Sequence, residues 1–278
     1  MTNYFEPNEQ GQNYINNTLN PALEYAYGNL SILLWVPNFN GSNGYYREEF
    51  CINGEYSPNS LQSDVLYGYL WGLILDLDKH WEIPINNILS HLEQVYIRNW
   101  SPYGLQFMTN RTISSLSCGE SQSQDILTGG FQDFDTWEMA TIDHFVERIY
   151  LNYYLDNSLS STMKILETEL NKYRLLFKDQ WDYRDTSSTY NDIDPEYSRP
   201  VVNSHYARQL IHYTSILALN GQDLYIDHET NKLQLTIQPK ISLTGDNGCL
   251  PILIPQAHFL LSLDSQNKCF QLNGTFGN

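Results

Sequence analysis

The sequence predicts a mainly α-helical protein built of helical hairpins, followed by a small antiparallel β-sheet at the carboxyl end. Apolar residues recur with the 3.6-residue helical period as far as Asn220-Gly221, and with a period of two beyond it. The helical part alternates short turns with long loops, which is typical of stacked hairpins. We therefore expect a polar amino-terminal arm at residues 1–17, a helical-hairpin domain at 18–221 and an antiparallel β segment at 222–278 packed on it.

The composition narrows the classes of partner. With 32 acidic and 15 basic residues the net charge is −17, which opposes attraction to phosphate backbones and anionic lipid, so we expect no nucleic-acid partner. No run of apolar residues approaches 18, so we expect no membrane span. The 21 Tyr and 6 Trp indicate either a wide core or surfaces that stack on flat, hydroxyl-rich ligands. The four cysteines lack metal-type spacing, and we expect no cofactor and no metal. The first residues lack a signal-peptide pattern, so we expect a cytoplasmic protein.

The first predicted helix begins at Asn20-Pro21, with proline at its first position, and runs to about Trp35. Pro37 ends it. Residues 38–62 contain Asn-Gly and Ser-Pro pairs around Tyr45-Tyr46, a composition that predicts a loop or a short hairpin. A second helix is expected from Asp64 to about Leu77.

A third helix is predicted to begin at Pro84 and to end before the break at Asn99-Trp100. One face of this helix carries apolar residues with a 3.6-residue period, namely Ile85, Ile88, Leu89, Leu92, Val95 and Tyr96. Residues 104–133 form a long connection that contains Ser and Gly. Loops of this length in compact domains are usually functional or mobile.

Three more helices are predicted before the β segment. The first is opened by Trp137-Glu138 and runs to about Tyr154, the second spans residues 160–177, and the third runs from Asn203 to the stop at Asn220-Gly221. The β segment is expected to contain a hairpin and further strands, at 224–227, 232–238, 251–255, 258–264 and 268–273.

Asp64 is the carboxylate of greatest interest. It follows a loop rich in Asn, Gly and Ser and opens an apolar run, where the positive end of a helix dipole favours its charged form. Gly68 lies four residues on, so the helix wall above the carboxylate carries no side chain, and Tyr67 and Trp71 flank that gap. Taken alone, these residues are explained more simply by an N-cap followed by a core helix.

Several candidate residues stand at helix starts just after long loops, which predicts that Asp64, Trp137-Glu138 and Asn203-His205 lie on one face. Each also has a structural interpretation. Glu138 is a first-turn glutamate that the helix dipole favours. His205 is more simply a hydrogen-bonded structural histidine, and Arg208 can form a surface ion pair of small energetic value.

The order and spacing of several short motifs over residues 20–240 resemble the later part of the catalytic domain of glycoside hydrolase family 116, which includes bacterial β-glucosidases and the non-lysosomal glucosylceramidase. The motifs are Tyr45-Tyr46, Asp64-x-Leu66-x-Gly68-x-x-Trp71, Asn99, Trp137, Tyr206-x-Arg208-x-Leu210 and Leu217-Ala218-Leu219-Asn220-Gly221. The resemblance implies an (α/α)6 toroid and a retaining mechanism. Asp64 matches the family's acid/base aspartate, which protonates the leaving oxygen and then deprotonates water.

The chain departs from the family in one respect. The family's nucleophile glutamate lies in an earlier part of the toroid, and the residues before Asn20 are too few to contain it. The chain therefore resembles half a toroid, whose other half is supplied by a partner chain or a second copy, unless the chain is a fragment or its active site has been lost or rebuilt. The acids to examine as substitutes are Glu138 and Glu48-Glu49, and Glu196 and Arg199 lie near the family's sugar clamp.

Two functional hypotheses follow. The first is a glycosidase-like protein that hydrolyses a β-linked glucoside or a related glycoside. The second is a non-catalytic carbohydrate-binding or assembly subunit that lacks the nucleophile half. In either case we expect a carbohydrate ligand and self-association or a partner chain, because half a toroid exposes a large apolar flank. Asp64 is the expected catalytic residue, and the expected substrate-binding residues are Trp71, Trp137, Glu138, His205 and Arg208.

Overall fold

The computed structural model describes about three-fifths of the chain, in thirteen segments. These segments are residues 9–29, 34–37, 43–47, 61–74, 83–109, 136–176, 186–188, 199–200, 211–227, 232–241, 249–254, 257–264 and 269–276. The described part is mainly helical with small antiparallel sheets, which confirms the predicted class. None of the described helices is both long and apolar enough to cross a membrane.

The described α-helices are α1 (Glu9–Tyr14), α2 (Asn20–Asn29), α3 (Tyr67–Ile74), α4 (Ile85–Asn99), α5 (Glu138–Tyr150), α6 (Leu159–Asn171) and α7 (His212–Asn220). Two π-helical turns, Ile15–Leu19 and Lys172–Leu176, and the 3-10 turn Leu155–Asn157 adjoin them. The strands are β1 (Trp35–Val36), β2 (Tyr45–Tyr46), β3 (Leu61–Gln62), β4 (Trp100–Ser101), β5 (Gly104–Leu105), β6 (Met108–Thr109), β7 (Thr136–Trp137), β8 (Thr186–Ser188), β9 (Arg199–Pro200), β10 (Gln222–Asp227), β11 (Lys232–Ile237), β12 (Cys249–Ile254), β13 (Ala257–Asp264) and β14 (Cys269–Phe276).

The chain forms two compact units, each assembled from three segments of sequence. Unit 1 comprises Met1–Leu66, Lys79–Trp137 and Thr186–Arg199. Unit 2 comprises Tyr67–Asp78, Glu138–Asp185 and Pro200–Asn278. Each unit therefore depends on contacts between residues that are far apart in the chain.

The amino-terminal part of unit 1 is helical from Glu9, within the range expected to be a polar arm. Residues 1–8 of that arm lie outside the described residues. Pro21 lies in the first turn of α2, as predicted. Because proline lacks an N–H and its ring crowds the carbonyl four residues earlier, a helix that continues into it must widen, which accounts for the π-helical turn Ile15–Leu19.

The hairpin around Tyr45-Tyr46 is confirmed, and Trp35 belongs to it rather than to a helix. Trp35 pairs with Tyr46 and Val36 with Tyr45 in an antiparallel ladder. The Trp35 and Tyr46 rings meet edge to face with centroids 4.9 Å apart. Burial of these aromatic side chains in a β pairing overrides the helical pattern that precedes them.

α4 is the helix on which the described part of unit 1 is built, and its predicted start after Pro84 is confirmed. Ile88, Leu92 and Val95 are buried on the predicted apolar face, whereas Ile85 at its first position is 47% exposed. Val95 belongs to a core cluster with three residues of neighbouring strands, Tyr45, Leu61 and Leu105. The helix thereby joins the hairpin of β1 and β2 to β3, which precedes Asp64, and to β5, which precedes Phe107.

Residues 104–133 were predicted to be one long connection, but its first residues form strands. β4 pairs with β5 in a tight hairpin, and β6 pairs with β3. Trp137 also lies in a strand rather than in a helix, because β7 pairs with β8. Two-residue strands carry too little sequence pattern to be distinguished from loops, since their pairing partners lie as far away as Ser187, which pairs with Thr136.

Unit 2 is centred on α5, which packs against α3, α6 and α7. All its residues except Tyr150 are buried. α5 is shorter than predicted, since it begins at Glu138 and ends at Tyr150. α6 begins close to the predicted start, and together with the π-helical turn Lys172–Leu176 it ends close to the predicted end at residue 177. For α7 the predicted start near Asn203 lies outside the described residues.

The period-two pattern beyond Gly221 correctly predicts strands. β10 and β11 form an antiparallel hairpin, and β12, β13 and β14 form a three-stranded antiparallel sheet. The Tyr150 hydroxyl of α5 donates to the Gln222 carbonyl over 3.2 Å, and the Asn220 amide donates to the Pro251 carbonyl. These two bonds attach the sheets to the helices within unit 2.

Gly221 ends α7 in the left-handed conformation, with φ of +54°, and its N–H donates to the Ala218 carbonyl over 2.9 Å. A Cβ at this position would collide with the backbone of Gln238, whose carbonyl carbon would lie 2.8 Å away. Neither the φ angle nor the space therefore permits a side chain.

We expect Gly221→Ala to lower the free energy of unfolding by about 1–3 kcal/mol, because a residue with a Cβ is strained at this φ angle and displaces Gln238. Gly68→Ala is the matched control in unit 2, since nothing lies within 4 Å of its Cβ and it is inside a helix. That variant should gain about 0.5–1 kcal/mol. Urea unfolding of the three proteins measures both changes, and equal stabilities would contradict the assigned geometry.

Candidate functional site

Asp64 lies in the turn Ser63–Leu66, directly after β3 and before α3 begins, so it precedes the helix rather than standing in its first turn. Its side chain is half-buried, and the Gln62 amide donates a hydrogen bond to its Oδ1. The preceding residue, Ser63, is fixed twice on Phe107. Its backbone N–H donates to the Phe107 carbonyl over 2.9 Å and its hydroxyl donates to the same oxygen over 3.1 Å.

Trp137 lies close to this turn because it stacks on Phe107. The two rings are nearly parallel, at 16°, with centroids 4.0 Å apart. Gln106, which precedes Phe107, forms an antiparallel bridge with Thr136, which precedes Trp137. Within unit 1 the short segment Gln106–Phe107 therefore connects the chain beside Asp64 with Trp137, two of the predicted site residues.

Asn99, the last residue of α4, forms hydrogen bonds with both the strand before Asp64 and the residue before Phe107. It is fully buried, and its side-chain Nδ2 donates to the Leu61 carbonyl over 2.8 Å and to the Gln106 carbonyl over 3.3 Å. The Gln106 N–H donates in return to the Asn99 carbonyl over 2.8 Å. Asn99 belongs to the motifs that resemble the glycosidase family, but its role as a bridge between two strands was not predicted. The feature of the sequence that could have revealed this role is the presence of a polar residue one turn beyond Val95 on the apolar face of α4.

Trp71 lies on α3 in unit 2 and is 39% exposed. Its ring meets the ring of Tyr67 edge to face, at 86° with centroids 6.2 Å apart. Gly68 is exposed beside this pair, with open space at its missing side chain. The predicted aromatic surface with a gap at glycine is therefore present on this helix.

Glu138 begins α5 in unit 2 and is completely buried. Its Oε1 lies 3.3 Å from the Nζ of Lys172, which also lies 3.0 Å from Oε2 of Glu169. Lys172 and Glu169 are buried as well, so one buried ammonium forms ion pairs with two buried carboxylates. Neither of these two partners was singled out from the sequence, because their distance from Glu138 along the chain conceals the contact.

Burial and the neighbouring charges shift the pKa values of Glu169 and Lys172 in this triad. Burial raises the pKa of Glu169 above its usual value, although Lys172 and a hydrogen bond with Thr141 act against the rise. Burial acts to lower the pKa of Lys172, but the carboxylates of Glu138 and Glu169 outweigh it and the pKa is raised. Lys172 therefore stays protonated, and Glu138 belongs to an interior ion-pair network.

Further polar groups of α5 are also buried. Arg148 donates through Nε to Nε2 of His144 over 2.8 Å, so His144 accepts at that nitrogen and is neutral. The pKa of Glu147 is raised well above its usual value by burial and by the neighbouring Asp143, against the effect of Arg148. Burial and the charge of Lys172 lower the pKa of His212 on α7 to about 4.

His205 and Arg208, the two remaining predicted site residues, lie outside the described residues, as do Glu48, Glu49 and Glu196. Of Arg199 the structure describes the backbone, which forms β9. In the described segments, His, Cys, Asp and Glu side chains form no group of three or more that could hold a metal ion.

The sequence matches no model of a known protein family, and it is significantly similar to none of the curated proteins. A functional interpretation must therefore come from the described side chains themselves. Two arrangements stand out. In unit 1 the half-buried Asp64 follows Ser63, which is bonded to the carbonyl of Phe107, and the Phe107 ring stacks on Trp137. In unit 2 the buried triad surrounds Lys172. The first is partly open to solvent and the second is closed.

We expect Lys172→Met to lower the free energy of unfolding by about 3–5 kcal/mol at neutral pH, because it leaves two buried carboxylates without their cation. The loss should shrink as the pH falls to about 5. In the variant the folded state binds protons on Glu138 and Glu169 more tightly than the unfolded chain does, so stability rises as the pH falls.

Lys164→Met, on the exposed face of α6, is the matched control and should change stability by less than about 0.5 kcal/mol. Chemical denaturation at two pH values measures both variants. A Lys172→Met protein that is as stable as the control would show that the buried triad does not stabilise unit 2.

Proposed function

We propose that this chain is a glycosidase-like protein that hydrolyses a β-linked glucoside or a related glycoside by a retaining mechanism, with Asp64 as the acid/base. One observation carries the proposal, namely that Phe107 is bonded through its carbonyl to Ser63, the residue before Asp64, while its ring stacks on Trp137. The proposal also draws on the resemblance of the Asp64 motif to glycoside hydrolase family 116.

The chemistry of sugars explains why this combination supports the proposal. Pyranose rings present flat C–H faces that pack on aromatic rings, while a few placed polar groups fix their orientation. A carboxyl group that is half-buried and oriented by the Gln62 amide can deliver a proton to a glycosidic oxygen and then accept one from water. In a retaining enzyme both tasks fall to the same residue.

A retaining mechanism also requires a nucleophilic carboxylate about 5–5.5 Å from the acid/base. Glu138 is poorly suited to this role, since it is buried in unit 2 and paired with Lys172. We propose that the nucleophile comes from the other half of the toroid that the resemblance implies, supplied by a partner chain or a second copy, or by the rest of a longer chain of which this sequence is a fragment.

The burial of Glu138 also favours a second candidate function. If no partner supplies a nucleophile, the same aromatic and carboxylate groups serve a non-catalytic carbohydrate-binding or assembly subunit. Asp64 would then accept hydrogen bonds from sugar hydroxyls, and Trp137 would provide the stacking surface.

We expect Asp64→Asn to lower the hydrolysis of aryl β-glycosides by about 10²–10⁴-fold, because the amide can neither donate nor accept the catalytic proton. Release of the aryl group by purified wild-type and variant chains measures the change across a panel of sugars. Glu24→Gln is the matched control, since it removes an exposed carboxylate from α2 in the same unit, and it should keep wild-type activity.

Other outcomes separate the two functions. If all three proteins are inert but glycosides raise the melting temperature of the wild type and not that of Trp137→Leu, the binding function replaces hydrolysis. Undiminished hydrolysis by Asp64→Asn would contradict the assigned role of Asp64. Absence of both hydrolysis and stabilisation across the panel would remove both functions.

A further inference from the structure

The bridge made by Asn99 lies beneath the proposed glycoside site. Its amide nitrogen donates one hydrogen bond to the Leu61 carbonyl over 2.8 Å and a second to the Gln106 carbonyl over 3.3 Å. Leu61 stands three residues before Asp64, and Gln106 stands immediately before Phe107. One buried side chain thus contacts both of the segments that carry the acid and the aromatic stack.

We propose that Asn99 is a positioning residue for this site, and that its amide holds the Asp64 segment and the Phe107–Trp137 stack in a fixed relative position. The inference rests on the proposed function and extends it to a residue buried beneath the site.

The chemistry of the amide explains why asparagine is needed. Its nitrogen carries two hydrogens, so it can satisfy two carbonyl oxygens at once. Serine offers one hydrogen and an ionised aspartate offers none, so either leaves a buried carbonyl without this donor. Movement of one strand relative to the other then changes the distance from acid to sugar, and a shift of about 1 Å can slow an enzyme about 100-fold.

α4 contains an internal reference for testing this role. His91, Val95 and Asn99 follow one another at four-residue intervals and so lie on one face. Nδ1 of the buried His91 accepts the Tyr46 N–H over 3.0 Å, which attaches the Tyr45–Tyr46 hairpin two turns away from Asn99. A change at Asn99 should therefore loosen the strands beside Asp64 and leave the hairpin attached.

The first test is hydrogen exchange of the full chain in wild type, Asn99→Ser and Ile88→Ala. Asn99→Ser should speed exchange of the Ser63 amide, which is bonded to the Phe107 carbonyl, by tenfold or more while Tyr46 stays protected. Ile88 is fully buried on α4, and its truncation weakens the unit without touching the bridge. It should affect the Ser63 and Tyr46 amides alike. If Asn99→Ser speeds the exchange of the Ser63 and Tyr46 amides by the same factor relative to wild type, the proposal is overturned.

The second test is turnover of the aryl glycoside that wild type hydrolyses best, at a temperature where all variants are folded. Asn99→Ser should lower kcat by about 10–100-fold with KM changed by less than about threefold, because the rings of Phe107 and Trp137 still stack on each other. Ile88→Ala should keep kcat within about twofold of wild type. A kcat for Asn99→Ser equal to that of Ile88→Ala would overturn the positioning role.

The failure of this inference differs from the failure of the proposed function. If Asp64→Asn is inactive and Asn99→Ser turns over like Ile88→Ala, the function stands and Asn99 is structural. If Asp64→Asn is as active as wild type, or the wild type is inert on every glycoside, the hydrolytic function fails and the positioning role fails with it.

Discussion

A polar group that leaves water must find its partner inside the protein, and this constraint shapes both units. In unit 1 the amide of Asn99 serves the carbonyls of Leu61 and Gln106, and thereby fixes short strands that have few ladder bonds of their own. In unit 2 the ammonium of Lys172 serves Glu138 and Glu169. Each of these buried groups joins segments that are distant in sequence, so each helps to define its unit.

The two arrangements differ in what they can do. A closed ion-pair network such as that around Lys172 contributes specificity to a fold, while its net energetic value is small because desolvation opposes the attraction. The environment of Asp64 is different, since Asp64 is half-buried and the Phe107 and Trp137 rings, which stack on each other, are partly open to solvent. This contrast supports Asp64 as the chemical group and Glu138 as a structural one.

The proposed function brings these observations together. In the proposed site Asp64 would provide the proton donor and acceptor, the Phe107–Trp137 stack a flat surface, and Asn99 the hydrogen bonds that position both. A retaining glycosidase also needs a second carboxylate, and the interior position of Glu138 argues against that residue. A partner chain or a second copy is one source of such a carboxylate. A site divided between chains would make hydrolysis dependent on assembly.

The sequence by itself determined the long elements, because periodic apolar positions over two or more turns or along whole strands are a local signal. The helix after Pro84, the stop at Gly221 and the change to strands beyond it are examples. It also indicated Asp64 and Trp137, as polar or aromatic residues beside loops. Only the tertiary structure decided that Trp137 is in a strand, that Glu138 is paired with Lys172, and that Asn99 bridges two strands. These features depend on contacts across tens of residues, and a local pattern carries no information about which distant group will satisfy a buried one.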